Sequence, residues 1–252
     1  MTRLPGRRSA GGSTVLGLAA ALVVVLACGV GGRGAGGGNQ PYGAGTSTRS
    51  GTATPPGEDE DGTMTAEEFQ KDAQGAIRLA ERYWDEQLRS RGRSFQPIRR
   101  VTTYTREGQI SCGNQRVPRN NAVYCPAGDF IAYDVNWAAA EFRQIGDAFL
   151  FYLLGHEYAH GIQVRLGIRY NFTIQQELQA DCMAGAYIGD SVREKVLTLQ
   201  DGDIDELRRG LIEVGDDPGQ PWFAEGAHGD AEQRSNFFFA GYQRSLAGCD
   251  LN

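Results

Sequence analysis

The chain has 252 residues and a formal net charge of -6, from 31 acidic and 25 basic side chains. An acidic balance with no basic groove or stripe argues against a nucleic-acid partner. The length allows one or two domains, but the first sixty or so residues lack the pattern of a globular core.

Residues 1–30 begin with Arg3, Arg7 and Arg8 and continue into an apolar run from Val15 to Val30. Positive charge followed by hydrophobe is the order of an export signal. Two fates fit this run. It can remain as a single membrane span with the arginines inside, or Val25-Leu26-Ala27-Cys28 can be a lipoprotein processing site that lipidates Cys28, although Leu26 is unusual in such a box. Both predict a membrane attachment and a domain outside the cytoplasm. Residues 31–62 are rich in glycine, serine, threonine and proline and end in Glu58-Asp59-Glu60-Asp61; they read as a flexible tether. Residues 63–252 are left to form one domain.

That domain opens with Thr65 and Glu68, a capping-box pair, followed by Phe69, Ala73, Ala76, Ile77, Ala80, Trp84 and Leu88 at helical spacing. Phe95 to Thr105 reads as a strand and Cys112 to Asn121 as polar loop. Ala122–Cys125 and Phe130–Val135 read as two short strands around a turn, giving a small antiparallel sheet. The second of these is either an edge on which an extended peptide docks or plain sheet core, and base rates favour core. From Trp137 the pattern is helical: one segment to Ile145, then one from Asp147 to Leu166 with Gly167 as its stop. Thr173 with Gln176, Ser191 with Glu194, and Asp203 with Glu206 each carry the cap signature for a further helix. Gly215 to Gly229 is loop, and a last helix spans Asp230 to Leu246 with Phe237, Phe238, Phe239 and Tyr242 as core. The Asn171-Phe172-Thr173 triplet matches a glycosylation acceptor and is given no role. The fold class expected is α+β and mainly helical, with the sheet ahead of the central helix.

The chemistry-bearing stretch is Gly155-His156-Glu157-Tyr158-Ala159-His160. On a helix, residues four apart share a face, so His156 and His160 can hold one zinc ion while Glu157 flanks it. A catalytic zinc needs a third protein ligand and an open fourth position. The remaining choice lies between His228 and a carboxylate. Glu177 sits on the next helix, where a helix-turn-helix return brings it back to the metal, and Asp181 follows four residues later, placed to accept the spare N–H of a ligating histidine. Setting Cys28 aside, Cys112, Cys125, Cys182 and Cys249 form an even set in an exported domain. Cys112 and Cys125 bracket a short loop, which leaves Cys182 for Cys249. The absence of a close Cys-x-x-Cys pair argues against a cysteine zinc site.

Three ordered stretches, His156 to Gln163, Glu177 to Gly185 and His228 to Arg234, together with Tyr124-Cys125-Pro126 and Ala132-Tyr133-Asp134, resemble the bacterial neutral zinc metallopeptidase family (YpfJ-like). The resemblance implies a zincin-like domain with His156, His160 and Glu177 on Zn2+ and Glu157 as catalytic glutamate. The sequence departs at Gly161, where many relatives of that kind have a second consecutive histidine. Such a site hydrolyses peptide bonds of a peptide or protein substrate, with Glu157 as general base and His228 as the candidate oxyanion donor. Arg234, if it reaches the site, can bind a carboxylate or position His228, but as a helix arginine it reads more readily as solvated. The alternative is an envelope binding protein whose zinc is structural or vestigial.

Overall fold

The computed structural model describes residues 26–29 and 65–251. The apolar run is therefore seen only at its end, and the tether expected over 31–62 lies outside the described residues. Leu26–Gly29 form strand β1. Helix α1, Ala66–Ser90, starts where the cap pair places it: Thr65 Oγ1 accepts from the Glu68 N–H at 3.1 Å and Glu68 returns the bond to the Thr65 N–H at 2.6 Å. Its buried face is Phe69, Ala73, Ala76, Ala80, Tyr83, Trp84 and Leu88: the stripe read from spacing with Tyr83 added and Ile77 only partly buried.

Strand β2 covers only Arg100–Tyr104. The expected strand over 95–105 is shortened because Pro97 offers no N–H and the Arg165 guanidinium takes the carbonyls of Gln96 at 2.7 Å and Pro97 at 2.8 Å. The segment read as polar loop contains a two-residue hairpin, β3 (Ser111–Cys112) and β4 (Gln115–Arg116). Strands β5 (Asn121–Cys125) and β6 (Phe130–Asp134) follow. The main sheet has the order β1-β5-β6-β2; β5 is antiparallel to both neighbours, but β2 runs parallel to β6. The sheet is thus mixed rather than purely antiparallel. Every residue of β5 and β6 is buried, since both faces are covered. Ala122, Tyr124, Ile131 and Tyr133 join the main helical core, while Val123, Cys125, Phe130 and Ala132 pack with Tyr104, Cys112 and Val117 on the far side. β6 is an inner strand, which settles it as sheet core.

Four helices build the site's surroundings after α2 (Val135–Ile145): α3 (Asp147–Leu166), α4 (Thr173–Arg193), α5 (Asp203–Glu213) and α6 (Ala231–Arg244), closed by a 3-10 turn over Ser245–Cys249. α3 ends at Gly167 in the left-handed conformation, as its stop signal requires. α4 and α6 touch backbone to backbone: a Cβ on Gly185 would lie 1.9 Å from the Phe238 carbonyl oxygen. The disulfides Cys112–Cys125 and Cys182–Cys249 tie β3 to β5 and α4 to the C-terminal turn, with Cα separations of 5.4 and 5.5 Å.

Three cap signatures fail. Thr173 is the first residue of α4, behind Phe172, and makes no cap bond. Ser191 lies inside α4, which continues to Arg193 with Asp190 anchored by the Tyr83 hydroxyl at 2.9 Å, so no separate helix starts there. Asp203 begins α5 behind Gly202 and accepts the Gln200 N–H at 2.7 Å instead. Phe237 is 42 % exposed rather than core, while Phe238 is fully buried. Glu206 leaves its own helix to accept the Ala148 N–H at 3.3 Å, capping α3, whose own N-terminus has no side-chain cap. Burial, then Asp147 and Asp203, push the Glu206 carboxyl up to about 7. A raised acid contributes stability below its ordinary range that is lost as pH rises through the folded value. Glu206→Gln, which keeps the acceptor, is expected to melt about 2–4 °C above the parent at pH 8, given that a half-exposed group is worth roughly 1 kcal/mol. The gap should close by pH 5 in a thermal denaturation series.

Candidate metal centre

α3 is buried almost all round, so its polar residues must find partners inside the protein. His156 and His160 stand one turn apart with their rings perpendicular and their Nε2 atoms 3.0 Å apart. α4 returns antiparallel to bring Glu177 to them: Oε2 lies 3.1 Å from His156 Nε2 and Oε1 lies 3.5 Å from His160 Nε2. These three side chains offer ligand atoms within 4.8 Å of one another. His228 is outside that group, so the carboxylate, not the third histidine, completes it.

The tautomers follow from the outer partners. His160 Nδ1 faces Gln163 Oε1 at 2.8 Å, and that amide is oriented by its NH2, which donates to the Gln176 carbonyl at 2.8 Å and Gln179 Oε1 at 3.0 Å. His156 Nδ1 faces Asp181 Oδ1 at 2.8 Å. Both Nδ1 atoms are therefore N–H donors, and both Nε2 atoms are bare. Two lone pairs facing each other across 3.0 Å repel unless a cation lies between them.

The charge count points the same way. Glu157, Glu177, Asp181 and Arg234 are all fully buried. With Asp181 paired to Arg234, the buried Glu177 charge is left facing two imidazoles, and a cation is what would balance it. Glu177 Oε1 has no hydrogen-bond partner, consistent with an oxygen reserved for a metal. Burial alone would raise the Glu177 carboxyl, but positive charge on the imidazole side, at His160 first and then His156, holds it well below the usual carboxylate range, and a bound cation would supply that charge to bare Nε2 atoms. The donor set of two imidazoles and one carboxylate is that of a catalytic zinc site.

Glu157 is placed apart from the three candidate ligands. Its Oε2 accepts the Tyr124 N–H of β5 at 2.5 Å, and Oε1 has no partner. Burial raises its carboxyl, opposed by His160 and His156. The two glutamates are thus driven in opposite directions, one toward holding a proton and one toward ionised ligand.

Asp181 lies where helical spacing puts it, yet its main partner was not legible in sequence. Arg234, expected at the surface, is fully buried; it donates to Asp181 Oδ2 at 2.9 Å and Oδ1 at 3.0 Å, to the Tyr152 hydroxyl at 2.9 Å and to the Val214 carbonyl at 2.7 Å. Tyr152 in turn donates to Asp181 Oδ1 at 2.8 Å. Burial disfavours the Asp181 charge, but Arg234 and His156 hold its carboxyl below the ordinary value. Gln163 and Tyr152 had a faint signal: they lie three residues after His160 and four before His156 on one helix. Arg234 ends the His228 to Arg234 stretch, but spacing gave no partner for it, because its contact is set by how α6 packs on α4.

His228 is half of a pair that sequence also concealed. Asp216 accepts the backbone N–H groups of His228 at 2.6 Å and Gly229 at 2.9 Å and approaches His228 Nδ1 at 3.3 Å. Burial alone would lower the imidazole, but Asp216 and then Glu177 raise it, so the ring is biased toward the cation. Gly161, the departure from the expected histidine pair, lets Ile98 and Tyr124 close on α3: a Cβ there would come within 2.8 Å of Ile98 Cδ1.

Removing Arg234 tests this geometry. Arg234→Met leaves the buried Asp181 charge without its guanidinium, which costs about 3–5 kcal/mol of stability. The milder Asp181→Asn is expected to weaken zinc binding about 10–100-fold with the fold intact, read by competition with a chromogenic chelator and by circular dichroism.

With the geometry in place, comparison with known proteins is informative. The family described as "Putative neutral zinc metallopeptidase" matches residues 3–251. The chain is 28 % identical over 249 residues to YpfJ of Escherichia coli (strain K12), covering 88 % of this chain and 81 % of that one. It is 30 % identical over 148 residues to Rv2575 of Mycobacterium tuberculosis (strain H37Rv), covering 48 % and 50 %. Both relatives are described as uncharacterized. No solved structure matches the chain. Matched over nearly its whole length, the chain belongs to the neutral zinc metallopeptidase family.

Proposed function

We propose that the protein is a membrane-tethered, extracytoplasmic zinc-dependent peptidase acting on peptide or protein substrates. The observation that carries the reading is the buried group His156, His160 and Glu177 beside a separate glutamate, Glu157, that has one carboxylate oxygen without a partner. A structural zinc site is closed by four protein ligands, whereas this group holds three among the described residues. The family description supports peptide-bond hydrolysis. The charged-then-apolar leader and two disulfides, which persist in oxidising compartments, support export and tethering. Among the described residues no helix is long and apolar enough to cross a membrane.

His156, His160 and Glu177 would hold the zinc, which would supply a Lewis acid to polarise the scissile carbonyl and lower the pKa of water. Glu157 takes the proton of the attacking water on Oε1 and returns it to the leaving amine. Asp216 engages His228 Nδ1, which leaves Nε2 to donate to the oxyanion as it develops. Asp181 and Gln163 hold the two imidazoles in the tautomer that presents Nε2, and Arg234 holds Asp181.

Zinc should be present near one per chain, and hydrolysis of a peptide library should stop on chelation and return with zinc. Glu157→Gln is expected to keep its zinc and lose about 10²–10⁴-fold in turnover; a fully active variant would refute the mechanism. His228→Ala should lower kcat about 10²–10³-fold with zinc retained, measured by steady-state kinetics alongside metal content.

A further inference from the structure

β5 is the strand that meets the candidate active site, since the Tyr124 N–H is held by Glu157 at 2.5 Å. On its far side it is paired to β6; on the other, its partner is Leu26–Gly29, the end of the apolar leader. Without that segment β5 would be the free edge of the sheet. An unpaired edge beside a catalytic carboxylate is a template for an extended polypeptide, bound through main-chain hydrogen bonds. The register is specific: Leu26 faces Tyr124, Ala27 faces Val123, Cys28 faces Ala122 and Gly29 faces Asn121, antiparallel. Cα atoms of facing residues in such a pair lie about 4.5–5.5 Å apart. The leader's main chain therefore runs past the residue whose N–H Glu157 holds.

We propose that the β5 edge is the docking strand for substrate polypeptide and that Leu26–Gly29 occupies it as an internal competitor. This rests on the peptidase reading above and adds to it how the site is kept closed. A covalently joined segment competes at an effective concentration of about millimolar, so even weak pairing displaces dilute substrate. A segment paired to β5 is not at the same time in a bilayer, so membrane insertion or removal of the leader vacates the edge. Opening of the site is thereby coupled to the fate of the leader.

The full zinc-loaded chain provides the test. Leu26→Pro with Ala27→Pro removes two successive backbone donors, whichever of them faces β5. Its apparent KM for a library peptide is expected to fall about tenfold or more with kcat unchanged, because a competitor reduces the fraction of competent protein. In a Cys28→Ser background, Ala27→Cys with Val123→Cys is expected to form a disulfide, identified by peptide mass spectrometry, and to abolish hydrolysis, while each single-cysteine chain stays at parental activity. An unchanged KM in the proline variant, or a cross-linked chain as active as its single-cysteine controls, overturns this inference and leaves the peptidase reading standing. Absence of zinc-dependent hydrolysis in every form, the proline variant included, overturns the peptidase reading and this inference together.

Discussion

The structure depends on a charge imbalance sealed away from water. Glu157, Glu177 and Asp181 are fully buried with a single guanidinium, Arg234, among them. Ionised carboxylates do not persist in such a place unless each is paired or faces a cation. Asp181 is paired by Arg234, Tyr152 and His156. Glu177 instead faces two imidazole nitrogens that have no proton to give, because their protons are committed to Asp181 and Gln163. A divalent cation would resolve both the charge and the facing lone pairs. The histidines and Glu177 then act as one unit, and loss of any one strands the rest.

The fold holds that unit rigid through the packing of α3, α4 and α6. Backbone contact through Gly185 draws α6 against α4, and Cys182–Cys249 fixes the chain just beyond α6. This closeness lets Arg234 reach Asp181, and Asp181 in turn sets the ring of His156. Gln179 extends the same logic, taking one N–H of Gln163 and donating to the Cys249 carbonyl at 3.2 Å. The second disulfide is thus two hydrogen bonds from the amide that orients His160. β5 closes the other side, joining a strand main chain directly to Glu157.

Residues joined by local spacing were legible in the sequence. His156, Glu157 and His160 follow from helical periodicity, Glu177 and Asp181 from the same periodicity one helix on, and the Thr65 cap from a four-residue pattern. The helices and the two inner strands were placed within a few residues for the same reason. What could not be read depends on contacts between distant segments. The parallel pairing of β2 with β6, the approach of Arg234, the Asp216 partner of His228 and the placing of Leu26–Gly29 on β5 have no short-range signature. The three false caps are instructive, because Thr173, Ser191 and Asp203 occupy plausible positions where the helix runs on or another donor is taken. A cap pattern reports a local option, and packing decides whether it is taken.

The central claim is that a single divalent ion is held by two imidazoles and one carboxylate within a buried group. X-ray absorption at the zinc edge of the purified, zinc-loaded protein tests it most directly. The account predicts a shell of nitrogen and oxygen atoms at about 2.0–2.2 Å with the outer-shell scattering of two imidazole rings. A shell containing sulfur at about 2.3 Å, or one without imidazole scattering, would contradict it.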